Sequence, residues 1–184
     1  MKLPNPFRKK AADPLVGADL RILMVCMGNI CRSPLAEGVA RLRATEAGLG
    51  ERLAFDSAGT HGYHSGEAPD PRSQIVAAKA GIDLSGLRAR RVVDADFARF
   101  DWILAMDRVN LAELECRCPE IHRDKLSLFL DFAEAVPVDE VPDPYYGGIE
   151  GFETVLALCE AGTRGLLAAC RAELARIDRP TGAG

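Results

Sequence analysis

Nowhere in this 184-residue chain is there an apolar run of the roughly 20 residues that a membrane-spanning helix needs. Basic charge is not in excess either. With 23 Lys and Arg against 27 Asp and Glu, the net charge of −4 removes the electrostatic reason to expect nucleic acid or an anionic membrane as a partner. The six cysteines do not have the spacing of a secreted disulfide framework, and no signal peptide is evident ahead of them, so a reduced, cytoplasmic setting is expected. Metal-ligand spacing is missing as well. His61 and His64 stand close together without further ligands at suitable positions, and Cys116 and Cys118 have no second pair to complete a zinc set. No metal or cofactor is expected. What remains is an ordinary soluble composition, 48% hydrophobic and 27% charged, with length for one well-cored domain and not for two.

The most informative stretch runs from Val25 to Pro34. Leu20 to Val25 reads as a short buried strand. Ser33 can cap, and Pro34 open, a helix through Ala36, Glu37, Val39 and Leu42. Strand, tight loop and helix N-terminus gather backbone N–H groups around one point, which makes an anion site. Gly28 lets the chain fold back, and Asn29 tolerates a left-handed conformation. Arg32 adds a planar fork suited to two phosphate oxygens. Cys26 opens this cradle, and a thiol facing N–H groups and a guanidinium is favoured as thiolate. A cysteine alone is most often a packing residue. Paired with Arg32 six positions on, it points to nucleophilic phosphoryl transfer through a cysteinyl-phosphate.

The fuller string Cys-x-Gly-Asn-x-Cys-Arg-Ser-Pro-x-Ala-Glu, Cys26 to Glu37, closely resembles the signature of the low-molecular-weight protein tyrosine phosphatases. The resemblance extends over Leu20 to Leu174. It implies an α/β domain of the flavodoxin-like three-layer kind, a four-stranded parallel sheet flanked by helices, with the site at the carboxyl ends of the strands. The loop Met27, Gly28, Asn29, Ile30, Cys31 and Ser33 would bind phosphate, Ser33 also bonding the Cys26 sulfur. In Asp56-Ser57-Ala58-Gly59-Thr60, followed by Gly62 and Tyr63, it implies that Ser57 supports the loop from behind and that Tyr63 lines the substrate cleft. His64 falls toward the rim of that cleft. The family often carries a histidine that buttresses the loop where this chain has Ala80.

Elsewhere the pattern is plain. Residues 1–18 carry Pro4, Pro6, Pro14 and Arg8-Lys9-Lys10 without periodicity and are expected to form a flexible leader, with the domain over 19–177 and a short tail over 178–184. Strands are expected over Leu53–Ser57, Asp101–Asp107 and Lys125–Phe129. A helix is expected from Pro69 to Gly81, another long one from Phe152 through Leu174, and Asp94 is expected to cap a short helix around Phe97. Asp107 is expected to cap the helix carrying Val109, Leu111 and Leu114, and the basic run Leu87–Arg91 to be a solvated surface.

Val141-Pro142-Asp143-Pro144-Tyr145-Tyr146-Gly147-Gly148 sets one carboxylate between two prolines, which hold the loop out of helix. Such a string is by default a surface turn. Its resemblance to the family's general-acid loop makes Asp143 the proton donor to a departing phenolate, then the base for water. Tyr63, Tyr145, Tyr146 and Ile30 would then form a cleft that takes phosphotyrosine in protein substrates. Cys26 and Cys31, in one loop, could form a reversible disulfide. Thioredoxin-coupled arsenate reductases need further cysteines, and Ala68 to Ala105 contains none. Protein arginine phosphatases resemble the chain at nearly every loop position, but tend to carry threonine in place of Ile30 and lack the paired tyrosines. A phosphotyrosine-binding module without activity would be expected to lose Cys26 or Asp143. Monomer and weak dimer both stay open.

Overall fold

The chain folds around a strand whose two faces bury different partners. A computed structural model describes residues 15–179. Along β1 (Leu20–Cys26), Leu20, Ile22, Met24 and Cys26 point into one core cluster, Leu23 and Val25 into another. Alternation with both sets buried is what a central parallel strand requires. β2 (Leu53–Gly59), β3 (Trp102–Ala105) and β4 (Leu126–Leu128) complete a four-stranded sheet in the order β2-β1-β3-β4, every pair parallel. α1 (Arg32–Glu46), α2 (Pro71–Lys79) and α5 (Ile149–Ile177) cover the first face through Leu35, Val39, Val76, Phe152, Val155 and Leu166. α3 (Asp94–Arg99) and α4 (Arg108–Arg117) cover the second through Phe97 and Leu114. The result is the expected three layers. Short 3-10 turns over Glu120–Lys125 and Phe129–Phe132 flank β4.

Strand order decides where chemistry can sit. The chain leaves β1 toward β2 on one side and later returns to β3 on the other, so the loops after β1 and β3 part at the carboxyl edge and leave a crevice. Register makes them neighbours. Val25 pairs with Ala105, and Met106 N donates to Val25 O at 2.9 Å. Asp107, one residue on, therefore lies beside the loop that follows Cys26. β2 closes the other flank. A side chain at Gly59 would place Cβ 2.6 Å from Met27 O, so only glycine lets this strand end lie so close to the loop.

The helix starts differ from expectation in two places. α1 begins at Arg32 with Cys31 as N-cap and no side-chain cap bond. Ser33 lies inside the helix, because its hydroxyl is taken up by the Cys26 sulfur and the Ala58 carbonyl. α3 begins after Val93, and Asp96 rather than Asp94 satisfies its first turn, Oδ2 accepting from Val93 N at 2.9 Å. Asp94 instead pairs with Arg117 at 3.2 Å. Asp107 does cap α4, Oδ1 accepting from Asn110 N at 2.6 Å. β3 is shorter than the expected Asp101–Asp107, spanning Trp102–Ala105, with Asp107 already the N-cap of α4.

The basic run is also not simply solvated. Arg90 is half-buried between Asp56 and Asp96, at 2.9 Å from each. Arg88 is exposed and donates to the Ser85 and Leu87 carbonyls. Residues 1–14 of the expected leader and 180–184 of the tail lie outside the described residues. Leu15 is buried with Leu23 and Val25, and its carbonyl accepts from Arg21 Nε at 3.2 Å.

Candidate active site

Cys26 ends β1, and the next five residues wrap its sulfur before α1 begins. Asn29 turns the chain with φ +56°, the left-handed conformation that asparagine tolerates better than most residues. The turn brings Asn29 N to 3.3 Å from Cys26 Sγ, and Ser33 Oγ stands 3.1 Å away on the helix side. Asn29 is the keystone beneath. Its Nδ2 donates to Ser33 Oγ at 2.9 Å and to Ser57 Oγ at 2.8 Å, and its Oδ1 accepts from Arg90 N at 2.9 Å. The loop is therefore held without a histidine at position 80, where Ala80 is the half-buried C-cap of α2.

Ser57 passes the network on, its Oγ donating to Glu37 Oε2 at 2.5 Å. Glu37 is 1% exposed. Burial pushes its carboxyl up to about 7, against the opposing pull of Arg41 and the Ser57 hydroxyl. Arg41 Nη2 lies 2.6 Å from Oε1 as an ion pair without forming a directed bond, and the same nitrogen donates to the Phe55 carbonyl at 2.8 Å. Burial likewise pushes Cys31 up to about 12, helped by Asp70, Cys26 and Asp143, so its thiol is neutral.

Arg32, 2% exposed, is gripped from two sides. Nη1 meets Asp107 Oδ2 at 2.5 Å and the Val141 carbonyl at 3.2 Å, and Nη2 meets Asp143 Oδ2 at 2.7 Å. Burial alone would lower its pKa, but Cys26, Asp143 and Asp107 more than offset that, and the guanidinium is held firmly charged. Asp143 arrives on the loop after β4. Its Oδ1 accepts from Tyr145 N at 3.1 Å, and its side chain stays 43% exposed.

These parts enclose a cleft of about 490 Å³. Cys26, Met27, Gly28, Ile30, Cys31 and Arg32 form its floor, Tyr63 and His64 one wall, Asp143, Tyr145 and Tyr146 the other. Tyr63 stacks on His61 at 5.2 Å, and Tyr145 meets Tyr146 edge-on at 5.0 Å. Asn29, Ser33 and Ser57 lie beneath the floor. The predicted site residues Cys26 to Ser33, Ser57, Tyr63, Asp143, Tyr145 and Tyr146 thus lie at or beneath one cleft. Asp107, at a strand's carboxyl end where functional groups collect, was expected chiefly to cap a helix, and its bond to Arg32 was missed. So were Arg90 and Glu37, whose roles depend on partners far away in sequence. Among the described residues no group of three or more His, Cys, Asp or Glu could hold a metal ion.

The arrangement can hold a tetrahedral oxyanion over a sulfur nucleophile, with a carboxyl group at the cleft mouth to move a proton. Comparison with known proteins agrees with that chemistry. The family described as low molecular weight phosphotyrosine protein phosphatase matches residues 21–176. A low molecular weight protein-tyrosine-phosphatase of Streptomyces coelicolor is 45% identical over 157 residues, covering 84% of this chain and 95% of that one. The human low molecular weight phosphotyrosine protein phosphatase is 40% identical over 148 residues, 79% of this chain and 92% of its own. Among solved structures, a protein tyrosine phosphatase of Entamoeba histolytica superposes with a TM-score of 0.82 at 40% identity, covering 84% and 99% of the two chains. YfkJ of Bacillus subtilis does so with a TM-score of 0.80 at 37% identity, covering 86% and 98%.

Proposed function

This chain belongs to the low molecular weight phosphotyrosine protein phosphatase family, and from that footing we propose that it hydrolyses phosphotyrosine in proteins through a cysteinyl-phosphate on Cys26. One observation carries the assignment of roles. The sulfur and the Arg32 guanidinium, from one loop, and the Asp143 carboxylate, from a segment 111 positions beyond Arg32, converge on one cleft, with Asp143 already 2.7 Å from Arg32.

In the first step the Cys26 thiolate attacks phosphorus opposite the phenolic oxygen. The S–P bond forms as the P–O bond breaks, and Asp143, as the acid, gives its proton to the departing tyrosine. Arg32 and the loop N–H groups hold the equatorial oxygens, whose charge they neutralise. In the second step the Asp143 carboxylate takes a proton from water as that water attacks phosphorus, and the S–P electron pair returns to sulfur. Ser33 Oγ, 3.1 Å from Sγ, donates to the thiolate as it leaves. Asp107 keeps the Arg32 fork turned toward the cleft, the role its 2.5 Å contact supports.

Ile30 in the cleft floor and Tyr63, Tyr145 and Tyr146 on its walls support an aromatic phosphoester over phosphoarginine. Cys26 and Cys31 both border the cleft and both are free thiols, which supports a reversible disulfide under oxidation. A cytoplasmic, reducing location accords with that chemistry, and among the described residues no helix is long and apolar enough to cross a membrane. The test is phosphate release from matched phosphotyrosyl, phosphoarginyl and phosphoseryl peptides, with Cys26→Ser beside the parent. Phosphotyrosine should be hydrolysed fastest and the mutant should be inactive. Faster release from phosphoarginine would transfer the assignment to that substrate, and no release in reducing buffer would remove it.

A further inference from the structure

The carboxylate at Asp143 has to be in place when the phenolate leaves, yet its loop is tied to the sheet mainly by Val141 N, which donates to Met106 O at 2.8 Å. Within the loop, Gly147 N donates to Pro144 O at 2.9 Å and Tyr145 N to Asp143 itself. Upstream, Arg108 holds Asp139 and Glu140, and Arg32 Nη1 donates to the Val141 carbonyl at 3.2 Å. At the acid itself the tether is the ion pair with Arg32, and a phosphate held by that guanidinium must displace it. Some other group has to hold the loop at that moment.

Arg72, in the first turn of α2, is built for it. Asp70 fixes the guanidinium from below, Oδ1 accepting from Arg72 N at 2.8 Å and Nε at 3.0 Å, and Oδ2 from Nη2 at 2.8 Å. The buried Phe152 ring backs it, with Cζ 4.4 Å from the ring centroid. The outer edge then faces the acid loop, with Nη1 donating to the Gly147 carbonyl at 2.8 Å and Nη2 to the Tyr145 carbonyl at 3.1 Å. The same turn of helix also grips the phosphate-binding loop. Asp70 N donates to Ile30 O at 2.8 Å, and Ser73 Oγ lies within 3.4 Å of both the Ile30 and Cys31 carbonyls. One rigid helix start therefore holds both loops, and no bond in the set uses a group that binds phosphate. Fixing a planar fork on a carboxylate and a ring before it reaches the loop also spares the entropy a free arginine would lose.

We propose that Arg72 is a positioning residue for general-acid catalysis, holding the Tyr145 and Gly147 carbonyls so that Asp143 stays over the leaving oxygen after Arg32 has turned to the phosphate. This rests on Asp143 being the acid. The fork does not touch substrate, so its loss should appear only where a proton is needed.

The experiment measures kcat/KM on aryl phosphates ranging from phenyl phosphate and phosphotyrosine, whose phenolates leave poorly, to a dinitrophenyl phosphate, which leaves without help. Parent, Asp143→Asn, Arg72→Ala and Arg72→Lys are compared. Asp143→Asn should lose about 100-fold on the poor leaving groups and little on the good one, the usual size of a general-acid contribution. If it shows no such gradient, the acid assignment fails, whatever Arg72 does. Given that gradient, Arg72→Ala should reproduce it at about tenfold, a fraction of the full general-acid effect. A uniform loss across the series, or none, overturns the positioning role. Arg72→Lys, whose single ammonium reaches one carbonyl, should fall between parent and Arg72→Ala. It also decides the question if the alanine variant does not fold, because a lysine variant with the parent's leaving-group dependence overturns the proposal.

Discussion

The two loops that meet at the cleft are built on opposite plans. Apart from Met27 and Gly28 at its rim, the phosphate-binding loop is sunk into the fold, with Asn29 and Arg32 each 2% exposed and Ser33 fully buried. Its side chains bond one another, and Asn29 alone makes three such bonds to its surroundings. The acid loop stands in solvent. Asp143 and Tyr145 are about two-fifths exposed and Tyr146 is 99% exposed, and the bonds that hold this loop come mostly from elsewhere. An oxyanion cradle gains from being preorganised, because donors already in place need no reorganisation as charge develops. A group that gives a proton in one step and takes one in the next has to reach solvent and to move. Burial suits the first task and exposure the second.

The sharpest way to break this contrast is Arg32→Ala. It removes the fork and strands Asp107 against the cleft, and kcat/KM should fall by about 10³-fold, the upper range for losing a transition-state donor. The melting temperature should fall too, since the part-buried Asp107 carboxylate is left without its partner. Retention of activity within tenfold would mean that the buried plan is not what drives the chemistry.

Glu37 sharpens the contrast from beneath, as a titratable group under the rigid loop. Its native carboxyl sits at about 7 against an ordinary value of 4.5, so the folded chain holds that proton more tightly than the unfolded one. The contribution to stability is therefore fully present below pH 4.5 and is lost as pH rises to about 7, an upper bound on the order of 3 kcal/mol. Glu37→Gln cannot ionise. Between pH 5 and pH 8 its urea midpoint should gain on the parent's, and parallel curves would show that Arg41 and Ser57 fully compensate the buried charge.

Tyr146→Ala probes the exposed plan and should do least. A residue 99% exposed contributes within about 0.5 kcal/mol to folding. The melting temperature should therefore hold, while KM for phosphotyrosyl peptides rises by a small factor against an unchanged KM for a small aryl phosphate. An equal change for both substrates would take the ring out of peptide recognition.

The same contrast explains what could be read in the chain. Cys26 to Ser33 was legible because its spacing carries its chemistry, Asp143 to Gly148 only through its resemblance to the family's general-acid loop, and the succession of strands and helices pointed to the parallel sheet. Asp107, Arg90, Glu37 and Arg72 were not, because their partners lie 75, 61, 20 and 75 positions away, and only strand order and helix packing bring them together. Ser33 was misread as a cap for a related reason. Propensity favours serine there, but a sulfur and a carbonyl made available by β1 and β2 outcompeted the helix end for its hydroxyl.

The bond between Arg32 and Asp143 has a further consequence. The cleft carries its own tethered competitor. A carboxylate on a short loop is present at the guanidinium at an effective concentration in the millimolar range or above, so a single-charge anion in solution must outbid it to enter. A phosphate dianion, with more charge and a matching fork geometry, can do so. On the proposed mechanism, the Asp143 carboxylate returns to Arg32 Nη2 as inorganic phosphate leaves. Carboxylates in solution therefore compete at Arg32 with one the chain already holds 2.7 Å from Nη2.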